Sequence, residues 1–142
     1  QARHDAYWAM LALRPGCTGV ATDVCVPISR LAEAVATAEA KALEMDLFAP
    51  VVGYAGDGNF HASILIDMDD ADEVARAPAY ARFLNDMAIE MEGTCTGEHG
   101  IGQGKRPYLL RELGADTVDV MGAIKRALDP DNIMNPGKIL TT

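Results

Sequence analysis

At 142 residues, with 49% hydrophobic and 23% charged side chains, the chain has the composition of a folded globular protein and the length of one compact domain, which excludes disordered and fibrous classes. Twelve Lys and Arg against 21 Asp and Glu give a formal charge of -9, so no basic stripe is available to displace counterions from a nucleic-acid backbone. No apolar run approaches the ~20 residues of a membrane-spanning helix, and Cys17, Cys25 and Cys95, scattered without a C-x-x-C pair, point to free, buried thiols in a reducing compartment.

Residues 5 to 13 read as the end of a helix that Pro15 and Gly16 stop. With Gln1 in place of Met, no signal-peptide pattern and a helix lacking its start, the expectation is a piece of a longer protein. From Val20 to Val26, Val20, Thr22, Val24 and Val26 alternate with Ala21, Asp23 and Cys25, the period of a half-buried strand that Pro27 closes. Ser29 is placed to cap a second helix, whose apolar residues Ile28, Leu31, Val35, Ala38, Ala42 and Met45 recur at helical spacing. Two strands, Val51 to Tyr54 and His61 to Met68, follow as a hairpin around Gly56-Asp57-Gly58-Asn59. On the second, Ala62, Ile64, Ile66 and Met68 share one face, and His61, Ser63 and Asp67 share the other, where chemistry can sit. Pro78 is read as the start of a third helix, which Gly93 ends. Five glycines from Gly93 to Gly104 predict an irregular loop. A last amphipathic helix carries Val120, Met121, Ile124, Ala127 and Leu128, and is stopped by Asp129-Pro130 before a tail that ends near Leu140.

Of three histidines, His61 and His99 lie in or beside glycine-rich segments. Glu98-His99 sits between Gly97 and Gly100 and offers an oxygen ligand and a nitrogen base in a loop able to approach a ligand closely. His61 with one carboxylate forms an incomplete divalent-metal set. Tight turns whose Asp57 and Asn59 bond their own backbone account for the same glycines equally well by spacing alone. Gly100 to Lys105 fails the phosphate-loop spacing, and Arg106 stands where Ser or Thr would hold magnesium; Gly100, Gly102 and Gly104 fail the dinucleotide fingerprint. No nucleophile elbow is present.

Taken together, Ala2-Arg3-His4, Thr22-Asp23-Val24-Cys25-Val26-Pro27-Ile28-Ser29-Arg30-Leu31, Gly56-Asp57-Gly58-Asn59-Phe60-His61, Gly93-Thr94-Cys95-Thr96-Gly97-Glu98-His99-Gly100-Ile101-Gly102, and Asp129-Pro130 with Asn135-Pro136-Gly137-Lys138 resemble the C-terminal region of the FAD-linked oxidase family. This family includes the flavin-linked D-lactate dehydrogenases and glycolate oxidases and is related to D-2-hydroxyglutarate dehydrogenase. The run from Thr22 to Ser29 is most similar to the cytochrome-linked D-lactate dehydrogenase branch.

The resemblance implies an α+β fold, a ferredoxin-like antiparallel sheet with helices followed by a helical C-terminal segment. Residues 1–142 would form the substrate and cap region of a longer chain whose separate N-terminal domain binds FAD. It also implies oxidation of a D-2-hydroxy acid, D-lactate above all, with His99 as the base and hydride passing to the flavin, and predicts that the isolated segment is inactive. Arg3 would pair the substrate carboxylate, Asn59 would lie near substrate and Lys138 near the flavin. His61 and Glu98 would hold a divalent metal (Zn, Fe or Mn) as a Lewis acid. Tyr54 stands where the family commonly has another histidine, and a phenol of pKa near ~10 is a poor ligand at neutral pH, so the expectation is a weak or absent metal, or one completed by water and substrate. An electron acceptor of unspecified type, self-association through exposed apolar faces, and a cytoplasmic location, peripheral at the inner face of a membrane or mitochondrial in a eukaryote, complete the expectations. The competing readings are a ferredoxin-like interaction or small-ligand module with structural histidines and no catalysis, and a family member in which Tyr54 marks altered substrate or metal use.

Overall fold

A computed structural model describes residues 2–141, with side chains from residue 5 onward. The chain divides into two compact units, Gln1–Gly97 and Glu98–Thr142, where length alone predicts one. The hydrophobic core belongs wholly to the first unit.

In that unit, α1 (Ala2–Ala12) is followed by β1 (Thr18–Ala21), β2 (Val24–Cys25), a 3-10 turn (Ile28–Arg30), α2 (Leu31–Glu44), β3 (Val51–Tyr54), β4 (Asn59–Ile66) and α3 (Ala71–Glu90). β4 is the middle strand: β1 and β2 pair antiparallel with it along one side and β3 along the other. This is a split βαβ arrangement with α2 as the crossover, the core of a ferredoxin-like sheet. Its outer strand is reduced to one bridge between Cys25 and Thr94. The α+β class expected from the sequence is therefore present.

The expected strand Val20 to Val26 is two short strands, because Thr22 and Asp23 leave the ladder; the register runs on unbroken, with Ala21 opposite Ser63 and Val24 opposite Phe60. β4 starts at Asn59, two residues earlier than expected, because Asn59 and Phe60 pair with both neighbours. Met68 lies beyond the strand and is exposed.

Phe60, Ala62, Ile64 and Ile66 project from β4 into a core shared with Ala34, Ala38 and Ala42 of α2 and Ala77, Tyr80 and Leu84 of α3. Small alanines on α2 let the helix approach the sheet, and Tyr80 donates its hydroxyl to the Ala38 carbonyl at 2.9 Å. Burial pushes that phenol up to about 12. Ser29 does not cap α2: it lies in the 3-10 turn with no side-chain cap bond, and Ile28, expected on the buried face, is exposed. α3 begins at Asp70, not Pro78. The Asp70 carboxylate accepts from the Asp72 and Glu73 amides, and Pro78 sits inside the helix at an exposed position, where water can serve the carbonyl it leaves without a donor.

The second unit holds α4 (Arg106–Leu113) and α5 (Ala115–Leu128), followed by the tail. α4 was not expected: it is short, mostly polar, and opens on Arg106-Pro107 after a glycine run. Of the cysteines only Cys95 is buried; Cys17 and Cys25 are half-buried, and all three are thiols. Among the described residues, no helix is long and apolar enough to cross a membrane.

Candidate functional site

Alternation along β4 puts Asn59, His61, Ser63 and Leu65 on the face opposite the core. This face is not open: every residue of β4 is buried. Tyr7 and Leu11 of α1 close over Gly19, which lies opposite Leu65. At the other end, Tyr54 stands opposite Asn59 and meets the His61 ring edge-on, with centroids 6.0 Å apart.

Asp23, only 1% exposed, organises this end. One carboxylate oxygen accepts from Asn59 Nδ2 at 2.9 Å. The other accepts from Thr96 Oγ1 at 2.8 Å and from the Gly97 amide at 2.9 Å. His61 Nδ1 is 3.8 Å from the first oxygen and bonds the Thr22 carbonyl at 2.8 Å. Asn59 Nδ2 also donates to the Val24 carbonyl at 3.0 Å, while its Oδ1 is buried without a donor among the described residues. Gly97 packs so closely on the Asn59 amide that a Cβ there would collide with it. Gly58, at φ 73° in the β3–β4 turn, would drive a Cβ into the Val26 carbonyl. Both glycines are thus explained by close approach, as well as by turn geometry.

In the second unit, His99 and Gly100 through Gly102 form one rim of an open, mostly apolar cleft of about 850 Å³. Met121, Ile124 and Leu128 of α5 form its wall, and Met134 and Lys138 of the tail its far side. The tail is held by Asp129. Its carboxylate accepts from the Ile133 amide at 3.0 Å and the Met134 amide at 2.9 Å and is paired with Lys125; Lys125 also donates to the Met134 carbonyl at 2.6 Å. The hydrogen bond from Lys125, aided by the two amides, lowers the Asp129 pKa below its ordinary 3.8. A depressed carboxylate stabilises the fold above the unfolded value and loses that contribution as pH falls through the folded one. Acid titration followed by NMR is expected to leave the Ile133 and Met134 amides protected through the ordinary value of 3.8 and to expose them only as pH falls through the lower folded one. Asp129→Ala is expected to expose them at neutral pH.

Of the residues singled out from the sequence, Asn59, His61 and Tyr54 are brought together in the first unit. His99 and Lys138 share the cleft of the second, beside the exposed Glu98. The side chain of Arg3 lies outside the described residues. His61 and Glu98 fall in different units, so neither unit alone assembles that pair, and no cluster of three or more His, Cys, Asp or Glu suited to a metal occurs among the described residues. With Tyr54 where an imidazole would stand, the first unit offers one histidine nitrogen beside a phenol, a poor ligand at neutral pH, and no step below passes through a metal. Sequence reasoning missed Thr22, Asp23, Thr96 and the Lys125–Asp129 clip. The one signal available was a polar pair, Thr22-Asp23, interrupting an otherwise apolar strand.

A small antiparallel sheet packed with helices, followed by a helical segment, agrees with the α+β architecture that the FAD-linked oxidase resemblance implied. The family described as FAD linked oxidases, C-terminal domain, matches residues 1–139, and the chain belongs to it. It is 50% identical over 99% of its length to a probable mitochondrial D-lactate dehydrogenase of Danio rerio, covering 28% of that protein. It is 44% identical over 97% to a mitochondrial D-lactate dehydrogenase [cytochrome] of Arabidopsis thaliana, covering 24%. It is 40% identical over 98% to the glycolate oxidase subunit GlcD of Bacillus subtilis, covering 29%. The chain therefore spans about a quarter of the length of these relatives.

Proposed function

We propose that this chain is the substrate-facing C-terminal part of an FAD-dependent dehydrogenase that oxidises a D-2-hydroxy acid, D-lactate foremost, to the 2-oxo acid. The observation that carries the reading is the 50% identity to a probable D-lactate dehydrogenase over nearly the whole chain, together with His99 on the rim of the apolar cleft.

A bound flavin supplies a two-electron acceptor for the hydride on C2 of the substrate. His99 takes the hydroxyl proton, and the O–H pair becomes the second bond of the new carbonyl as the C2–H pair departs. Arg3 pairs the substrate carboxylate, as a guanidinium fork suits two oxygens. By the family resemblance, Asn59 lies near the substrate. The cleft walls suit the apolar edge of a flavin ring, with Lys138 beside it. By the same resemblance, a separate N-terminal domain would hold most of the flavin, with this chain lying against it. The names of the zebrafish and plant relatives support a mitochondrial location in a eukaryotic source.

A panel of D- and L-2-hydroxy acids assayed with the full-length protein and an artificial electron acceptor tests this reading. Turnover of D forms to 2-oxo acids is expected. Flavin without turnover of any hydroxy acid would point to altered chemistry, and absence of bound flavin would favour the ligand-binding module.

The donor set also predicts metal content. With Tyr54 in place of an imidazole, the full-length protein is expected to hold clearly less than one equivalent of Zn, Fe or Mn after dialysis, and Tyr54→His is expected to raise it, because imidazole ligates without first losing a proton. One tightly held equivalent in the unmodified protein, read by elemental analysis, contradicts this.

A further inference from the structure

We propose that Thr22 is a positioning residue for His61: its hydroxyl takes the place of its own carbonyl in the sheet ladder and so releases that carbonyl to fix the imidazole with its proton on Nδ1 and its lone pair on Nε2. In a regular antiparallel pair of this kind, two residues exchange both N–H···O=C bonds. The unbroken register places Thr22 opposite Ala62, and the Thr22 amide donates to the Ala62 carbonyl at 3.1 Å, as such a pair requires. The return bond is replaced. The Ala62 amide donates to Thr22 Oγ1 at 2.9 Å, and that hydroxyl donates on to the Ala62 carbonyl at 3.0 Å. The Thr22 carbonyl, turned out of the ladder, lies 2.8 Å from His61 Nδ1.

A carbonyl can only accept, so the proton is on Nδ1; a neutral imidazole carries one N–H, so Nε2 keeps the lone pair. Thr22 and His61 are each 8% exposed, which shields the bond from competing water. Asp23, with its carboxylate 3.8 Å from the same nitrogen, places negative charge where the N–H points and favours the same tautomer. The break in the edge strand is thus the device that aims both groups at His61. Only a hydroxyl residue at position 22 serves it: serine keeps the exchange, and valine keeps the shape but not the donor and acceptor.

The tautomer does not depend on the proposed dehydrogenase reading. Histidine-selective nitrogen NMR of the full-length protein at neutral pH, with His61 assigned by its loss in His61→Gln, reads the two ring nitrogens directly. The unmodified protein and Thr22→Ser are expected to show a protonated Nδ1 and an unprotonated Nε2. Thr22→Val is expected to move the tautomer ratio toward Nε2–H by about two- to tenfold, the span carried by one net hydrogen bond. A predominantly Nε2-protonated His61 in the unmodified protein overturns the proposal without any variant, and an unchanged ratio in folded Thr22→Val overturns it as well. If no hydroxy acid reduces the flavin, the proposed reaction fails, while the spectra still decide the role of Thr22.

Discussion

Replacing His99 by glutamine in the full-length protein is expected to slow flavin reduction by a D-2-hydroxy acid by about 10²- to 10⁴-fold, the span of general base catalysis, while leaving substrate binding within a few-fold of the original. Glutamine preserves size and polarity but cannot take a proton. His99 is exposed on the cleft rim, so no core packing is disturbed and the loss should fall on kcat rather than on stability or KM. Stopped-flow flavin absorbance with matched thermal melts checks both parts.

Asp23→Ala is expected to cost the protein about 2–5 kcal/mol, since removing a buried acceptor leaves donors unpaired at roughly 1–3 kcal/mol each. Thr96 Oγ1 and the Gly97 amide both lose the oxygen they share, and Asn59 Nδ2 keeps only the Val24 carbonyl. In a unit of this size, that loss corresponds to a fall in Tm of roughly 10 °C or more. Because Gly97 immediately precedes Glu98-His99 in the chain, a loss of flavin reduction is expected alongside the lower Tm. Asp23→Asn should fall between the two, because its amide group presents hydrogens to donors on one side and an acceptor on the other. Thermal denaturation of the three proteins, followed by circular dichroism, checks the order.

The elements written in local pattern were legible, and those written in long-range bonds were not. Ala38 and Ala42 recur at helical spacing and do line the buried stripe of α2, and alternation along β4 sorted Ala62 and Ile64 from His61 and Ser63 correctly. The start of α3 was missed because proline at a first helical turn is a familiar signal, whereas Asp70, with Glu73 three residues later, is the stronger one; Glu73 in turn is held by Arg14, 59 residues away. Thr22 and Asp23 read as ordinary members of an alternating strand, since their partners His61, Asn59 and Thr96 lie 36 to 73 positions off and leave no periodic trace. For the site, the histidines and glycine blocks were visible as motifs, yet spacing could not say what Gly97 and Gly58 were approaching. Close contact with the Asn59 amide and the Val26 carbonyl supplies that reason. Similarly, Asp129 was visible only as a helix stop before Pro130, although its main task is to gather the Ile133 and Met134 amides.

The exposed face of α5, with Val120, Ile124 and Leu128 open to solvent, follows the expectation that apolar faces of this segment are left uncovered when it stands alone.

The central claim is that this chain supplies the base and the substrate-facing side chains to a flavin-dependent oxidation of D-2-hydroxy acids. Anaerobic single-turnover mixing of the full-length protein with D-lactate and, separately, L-lactate, followed by flavin absorbance, tests it most directly. Bleaching by the D form alone, abolished in His99→Gln with flavin still bound, is the predicted result. Equal bleaching by both enantiomers, or bleaching that survives in His99→Gln, would contradict it.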